Sequence, residues 1–226
     1  MRARAAAVLL LAAAACGRGP AAGPACPHDL SLERSPEFRV LVSSVPTAVR
    51  RDLDFAGLSR LAGVETVGGK LEGLTVVDYR LAVRTDLELS RSRAGPQSCA
   101  WLKSLTVDLT PASIVIYVPR DYAPDSCESE EILAHERRHE EIHRRLLDEA
   151  AESVRRALSK FDRLPARGTP LAVSDRAEAG RRIDALVDGA VKPVYDDFQR
   201  ELAKEQAVLD TPENYRWTSL RCPRWK

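Results

Sequence analysis

The sequence predicts an α+β fold, with a small antiparallel sheet in the N-terminal half packed with two or three long helices. Three observations lead there. Apolar residues in the first half alternate with polar ones, the period of half-buried strands. In the second half they recur three and four positions apart, the period of amphipathic helices. A chain of 226 residues that is 44% hydrophobic and 5% aromatic suits one modest core rather than two large ones.

The chain opens on MRAR, continues with the short apolar run AAAVLLLAAAA and reaches Cys16 after a string of small residues, the layout of a secretory signal over residues 1–15. That run is too short to span a bilayer as a mature helix. The junction LAAAAC resembles the lipobox of bacterial lipoproteins, which implies lipid modification of Cys16 as the first mature residue. Ala13 stands where that pattern usually has Leu, so ordinary cleavage after Ala15 or within Ala21 to Ala25 stays open. Residues 16–25 read as a flexible tether and 26–226 as a single folded domain. The expected location is therefore the bacterial envelope, as a periplasmic or outer-membrane lipoprotein, with secretion as the alternative.

Export also favours disulfides. With Cys16 set aside, four cysteines remain, which allow three pairings. The expected pairs are Cys99–Cys127, flanking a strand region, and Cys26–Cys222, joining the two ends of the domain. The 34 basic and 33 acidic residues form no long single-sign block, which argues against nucleic acid as a partner and leaves membrane attachment to the N-terminal lipid alone.

FRVLVSSV, Phe38 to Val45, reads as a strand ended by Pro46. After the turn-like Gly68-Gly69, the stretch Leu74 to Ser90 alternates through Leu81, Val83, Leu87 and Leu89 as one long strand or two. Beyond the loop RSRAGPQ, WLKSLTVDLT and SIVIYVP read as an antiparallel pair separated by a turn at Pro111. Asp125 or Ser126 can cap a helix that opens with Glu128, Glu130 and Glu131 and runs to about Phe161. Ser174 can cap another long helix, which Pro193 should kink or split. Thr211-Pro212-Glu213 restarts a short turn or helix.

Three of the four histidines sit in ILAHERRHEEIHRR, on the first long helix. His135 and His139 are four apart, on one helix face, where two imidazoles can converge on one ion. With Glu136 between them the segment satisfies H-E-x-x-H, in which both histidines bind zinc and the glutamate acts as general base on a water. A catalytic zinc needs a third protein ligand. His143 lies roughly 12 Å along the axis from His135 and about 80° round, so a straight helix can hardly bring it to the same ion. Later carboxylates that could serve are Asp184, Asp188, Asp196, Asp197, Glu201, Glu205 and Asp210, each of which also suits a solvated helix face. The pairs Glu136/His139 and Glu140/His143 match the E-x-x-H of di-iron bundles, but those motifs come from two helices and here both lie on one. Tyr195 could stabilise an oxyanion, and His28 could be a distant ligand; a packed tyrosine and a solvated histidine are the plainer readings.

The signal segment, the β-rich half with CAWLKSLTVDLT and SIVIYVPRDYAPDSC, and the helix EEILAHERRHEEIHRRLLDEA followed by another long helix resemble the bacterial predicted secreted zinc-dependent proteases. The resemblance runs over 40–222 in order of elements and is most specific from Glu131 to Leu147. It implies a zincin-like helix and a metalloprotease-like domain, with His135 and His139 as Zn2+ ligands and Glu136 as the catalytic residue. Activity would be that of a zinc metallohydrolase on a peptide or protein substrate. Some members carry a His-Gly pair after a later Asp and Thr; this chain has Asp210-Thr211 and no histidine there. Arginines at both x positions of the motif and the unassigned third ligand speak for an alternative, a non-enzymatic envelope lipoprotein that keeps the scaffold for an envelope partner or for structure.

Overall fold

Two long strands, zipped antiparallel, form the spine of the sheet: β3 (Leu74–Arg91) and β4 (Ser98–Tyr117). The computed structural model describes Cys26 and residues 29–32, 35–63, 71–92, 95–161 and 163–225. The expected signal segment, the tether with Cys16, His28 and the Gly68-Gly69 turn lie outside these residues.

β3 occupies one edge of β4 along its whole length, so the other edge is shared in tandem by three short strands. β5 (Leu171–Val173) pairs antiparallel with the start of β4, while β1 (Glu37–Leu41) and β2 (Thr47–Arg50) pair with its middle and end. The α+β class holds, but the expected antiparallel sheet is corrected: β1 and β2 run parallel to β4. The expected hairpin at Pro111 is also corrected. Both segments around it belong to one strand rather than to a hairpin, because the proline falls where a missing N–H costs least. Residues 109–113 are covered by neither β1 nor β2, and a bulge against β3 lies beside them.

That bulge and a second one keep the strand amphipathic. The register skips Lys103 and Ala112, both exposed, and at each skip the inward-facing parity changes. The buried positions are Ala100 and Leu102, then Leu105, Val107 and Leu109, then Ile114 and Ile116, one continuous apolar stripe. The strand expected from Phe38 to Val45 is shorter: β1 ends at Leu41, and Pro46 stands immediately before β2.

Over this stripe pack α2 (Cys127–Ser159) and α3 (Arg176–Leu209), burying Leu146, Leu147, Val154 and Leu158 against Ile183, Val187 and Val191. The two helices are antiparallel, as the contacts of His135 with Asp210, His139 with Gln206 and Arg145 with Glu205 show. Ser126 caps α2, accepting the Ser129 N–H at 3.2 Å, with Glu128 and Glu130 at the positive end of the helix dipole. For α3 the cap is Asp175 rather than Ser174; Glu178 reaches back to the Ser174 N–H at 2.8 Å. Pro193 does not split α3. It and Gly189, whose carbonyl loses its helical partner, are both exposed, so water can take the bond.

Unanticipated from the sequence were β2, β5, α1 (Phe55–Ala62) and the 3-10 turn at Leu30–Leu32, although α1 carries its own signals: Asp54 accepts the Gly57 N–H at 2.7 Å, and Gly63 ends the helix at φ 66°. α4 (Pro212–Ser219) forms as expected, with Thr211 as its cap. No helix among the described residues is long and apolar enough to cross a membrane.

All four expected cysteines are bonded, but as Cys26–Cys99 and Cys127–Cys222. The expected pairing of Cys99 with Cys127 required the two ends of that strand region to meet. Because β4 runs straight through, about 60 Å of strand at ~3.3 Å per residue separates its Cys99 end from the end that leads to Cys127.

Candidate metal centre

The helix α2 is amphipathic across the motif itself. His135, Glu136 and His139 are each 5% exposed, while Arg137 and Arg138 face solvent, so the arginines at the x positions lie off the buried face. The three buried side chains form a group that could hold a metal ion, with ligand atoms all within 4.8 Å of one another.

The last turn of α3 faces them. Asp210, its C-cap, brings Oδ1 to 3.2 Å from His135 Nε2 and 3.1 Å from His139 Nε2, and the two Nε2 atoms are 3.0 Å apart. Two imidazole nitrogens and one carboxylate oxygen thus converge on one point, an arrangement that a cation can satisfy. Tetrahedral ligands at the usual ~2.0–2.1 Å from zinc stand roughly 3.3 Å from one another, close to the observed edges. The donor set of two imidazoles and one carboxylate also fits zinc.

The surroundings hold each ligand in place. Gln206, one turn before Asp210, accepts a hydrogen bond from His139 Nδ1. Tyr215, on α4, lays its ring against His135 at 5.4 Å between centroids and donates its hydroxyl to Asp210 Oδ1 at 2.8 Å. Asn214 donates to the Val208 and Leu209 carbonyls at 2.9 and 3.2 Å, closing the end of α3 and fixing the corner that presents Asp210. At the other end of α4, Cys222 is bonded to Cys127, the first residue of α2. The Asp210 side chain is 43% exposed, so the centre opens to solvent on that side.

Glu136 points towards the start of β3. Thr75 Oγ1 lies 2.8 Å from Glu136 Oε2 and 3.0 Å from the Glu136 carbonyl oxygen. Gly73 is buried against the same carboxylate, and a Cβ there would stand 2.4 Å from Oε1 and 2.8 Å from Ile132 Cγ2. Gly73→Ala is therefore expected to destabilise the protein by roughly 1–3 kcal/mol through overpacking and to displace Glu136. Urea denaturation checks the first effect; a variant as stable as the parent would contradict it.

Electrostatics follow from burial and these contacts. Burial pushes the Glu136 carboxyl up, only partly offset by His139 and by the Thr75 hydroxyl. For His139, burial works against protonation, but the hydrogen bond to Asp210 and the charge of Glu136 outweigh it and raise its pKa. Burial likewise opposes ionisation of Asp210, yet its bonds to His135 and His139 hold it far below the usual carboxylate range.

His143 does not join the centre. Its Nδ1 meets the Tyr79 hydroxyl, and Tyr79 packs edge-on against Phe198 at 5.2 Å. Burial first, then the charge of nearby His139, pushes its pKa down to about 4, with Glu140 opposing. The folded state thus favours neutral His143, and the stability this confers is complete above the unfolded pKa of about 6.5 and lost as pH falls towards about 4. The metal-free parent is expected to lose Tm more steeply over that window than His143→Gln; parallel profiles would contradict this.

Of the other carboxylates, Asp184 meets Thr85, Asp196 pairs with Lys192, Asp197 with Arg200, Glu201 with Lys204 and Glu205 with Arg145, while Asp188 is exposed. Tyr195 packs against Phe198 in the core, away from the centre. Sequence reasoning missed Gln206, Tyr215, Thr75 and Gly73. Two of these left a signal: Gln206 is four before Asp210, and the Thr211 cap places Tyr215 one turn into a helix that starts beside Asp210. Comparison with protein-family models, with curated proteins and with solved structures finds no match to this chain.

Proposed function

We propose that this chain is an exported zinc metallohydrolase of the peptidase type, with His135, His139 and Asp210 holding the ion, Glu136 as general base, and Cys16 carrying a lipid anchor. The observation that supports it most is the triangle of His135 Nε2, His139 Nε2 and Asp210 Oδ1, with edges of 3.0 to 3.2 Å. Its resemblance to secreted zinc-dependent proteases and the zincin-like reading of α2 belong to the same proposal. Two disulfides suit a protein that matures outside the cytoplasm.

Zinc bound there supplies Lewis acidity, acidifying water and polarising a substrate carbonyl. Glu136 takes a proton from the attacking water and returns it to the leaving amine. Thr75 holds the Glu136 carboxylate through Oε2, and burial raises the carboxyl pKa towards the range a general base needs. Tyr215 and Gln206 keep Asp210 and His139 oriented.

A second reading, a metal held for structure in a non-enzymatic envelope protein, is favoured by the depth of His135, Glu136 and His139, since structural sites are closed. Hydrolysis of a broad peptide library by the zinc-loaded mature chain separates the two. The enzyme reading expects Glu136→Gln to keep zinc and lose about 10²–10⁴ in rate. Zinc retained with no Glu136-dependent hydrolysis would instead support the structural reading.

A further inference from the structure

We propose that Gln206 is a positioning residue of the metal centre: its amide oxygen keeps the His139 proton on Nδ1, so that Nε2 presents a lone pair to the ion. The inference rests on the metal-binding reading and concerns a residue that touches no ligand atom of the triangle.

A neutral imidazole carries one proton and can place it on either nitrogen. At Nε2 of His139 stands Asp210 Oδ1, 3.1 Å away, an anionic acceptor that would draw the proton there. A ring protonated on Nε2 binds no metal through that atom. The acceptor at Nδ1 is what opposes this, and Gln206 Oε1 supplies it. The amide orientation follows from its other contact, Gln206 Nε2 to the His139 carbonyl oxygen at 3.5 Å, so one side chain grips both the ring and the backbone of the same residue.

The position of Gln206 ties this hold to the third ligand. It lies one helical turn before Asp210, and the Asp210 N–H donates to the Gln206 carbonyl at 3.1 Å. A single turn of α3 therefore carries both the carboxylate of the triangle and the amide that sets the tautomer of its neighbour. The amide is also uncharged. A carboxylate in its place would hold the same proton more strongly and make His139 a more basic ligand, tightening the metal at the expense of Lewis acidity.

Zinc affinity by chelator competition and the Nδ1 proton of His139 by NMR in the zinc-loaded protein test this together. Gln206 is only half-buried, which leaves room for substitution, and Gln206→Met keeps its length without an acceptor. Gln206→Met and Gln206→Leu are expected to weaken zinc roughly 10–100-fold and to broaden the Nδ1 proton through exchange with water, while Gln206→Glu restores both. A change that merely loosened packing would not be rescued by Glu. Parental affinity and a sharp Nδ1 proton in the Met and Leu variants would overturn the role of Gln206 alone. A parent that binds no zinc would overturn the metal reading and the inference with it.

Discussion

Asp210→Ala is expected to cost the protein its zinc while leaving the fold standing. The side chain ends α3 but does not hold it: the C-cap bond is made by the Asp210 backbone N–H to Gln206, and the following corner is closed by Asn214. What the substitution removes is the only carboxylate oxygen within 3.2 Å of both histidine Nε2 atoms among the described residues. Two imidazoles alone do not make a tight zinc site, which takes three or four protein ligands. The loss of affinity should therefore exceed the roughly 10–100-fold typical of outer partners such as Gln206. Asp210→Asn separates charge from shape, since it keeps an oxygen but no negative charge, and should fall between the two. Chelator competition gives the affinities and circular dichroism the fold. A folded Asp210→Ala variant with parental affinity would remove Asp210 from the centre.

The second large effect concerns the disulfides. Cys127→Ser with Cys222→Ser is expected to lower stability by about 2–5 kcal/mol and to weaken zinc as well. Cys127 begins α2 eight residues before His135, about 12 Å along the axis, and Cys222 follows α4, which carries Tyr215. The bond closes a sequence separation of 95 residues that contains all three converging side chains. Beside it, the C-terminal segment is held by Arg221 to Glu131 at 2.9 Å, the Arg224 N–H to Glu128 at 2.9 Å, Trp225 to Glu72 at 2.6 Å, and the packing of Trp225 on Tyr122. The exposed Arg221–Glu131 pair holds little by itself. By contrast, Cys26–Cys99 fastens the far end of β4, so its removal should lower Tm and leave zinc affinity alone. Equal zinc affinities in the two double variants would contradict this asymmetry.

Local chemistry was legible where it is decided locally. The caps at Ser126 and Thr211 and the one-sided H-E-x-x-H are properties of a few adjacent residues, and each appears where its residues stand. Pro111 does not end its strand and Pro193 does not split its helix, for a shared reason. A proline breaks an element only when its missing N–H or its displaced carbonyl lacks another solution, and here an uncovered stretch of strand edge and a solvent-facing helix side provide one. Asp210 was one of seven candidate carboxylates, and no pattern within α3 could choose it, because the choice depends on the antiparallel register of α3 against α2. Parallel pairing of β1 and β2 with β4 is likewise a matter of long-range topology, absent from any local period.

The central claim is that His135, His139 and Asp210 share one zinc ion. Anomalous diffraction at the zinc edge from crystals of the mature protein tests it most directly. The account predicts one strong peak at about 2.0–2.1 Å from both histidine Nε2 atoms and from an Asp210 carboxylate oxygen. A zinc-loaded crystal with no peak there, or with its peak held by other residues, would contradict it.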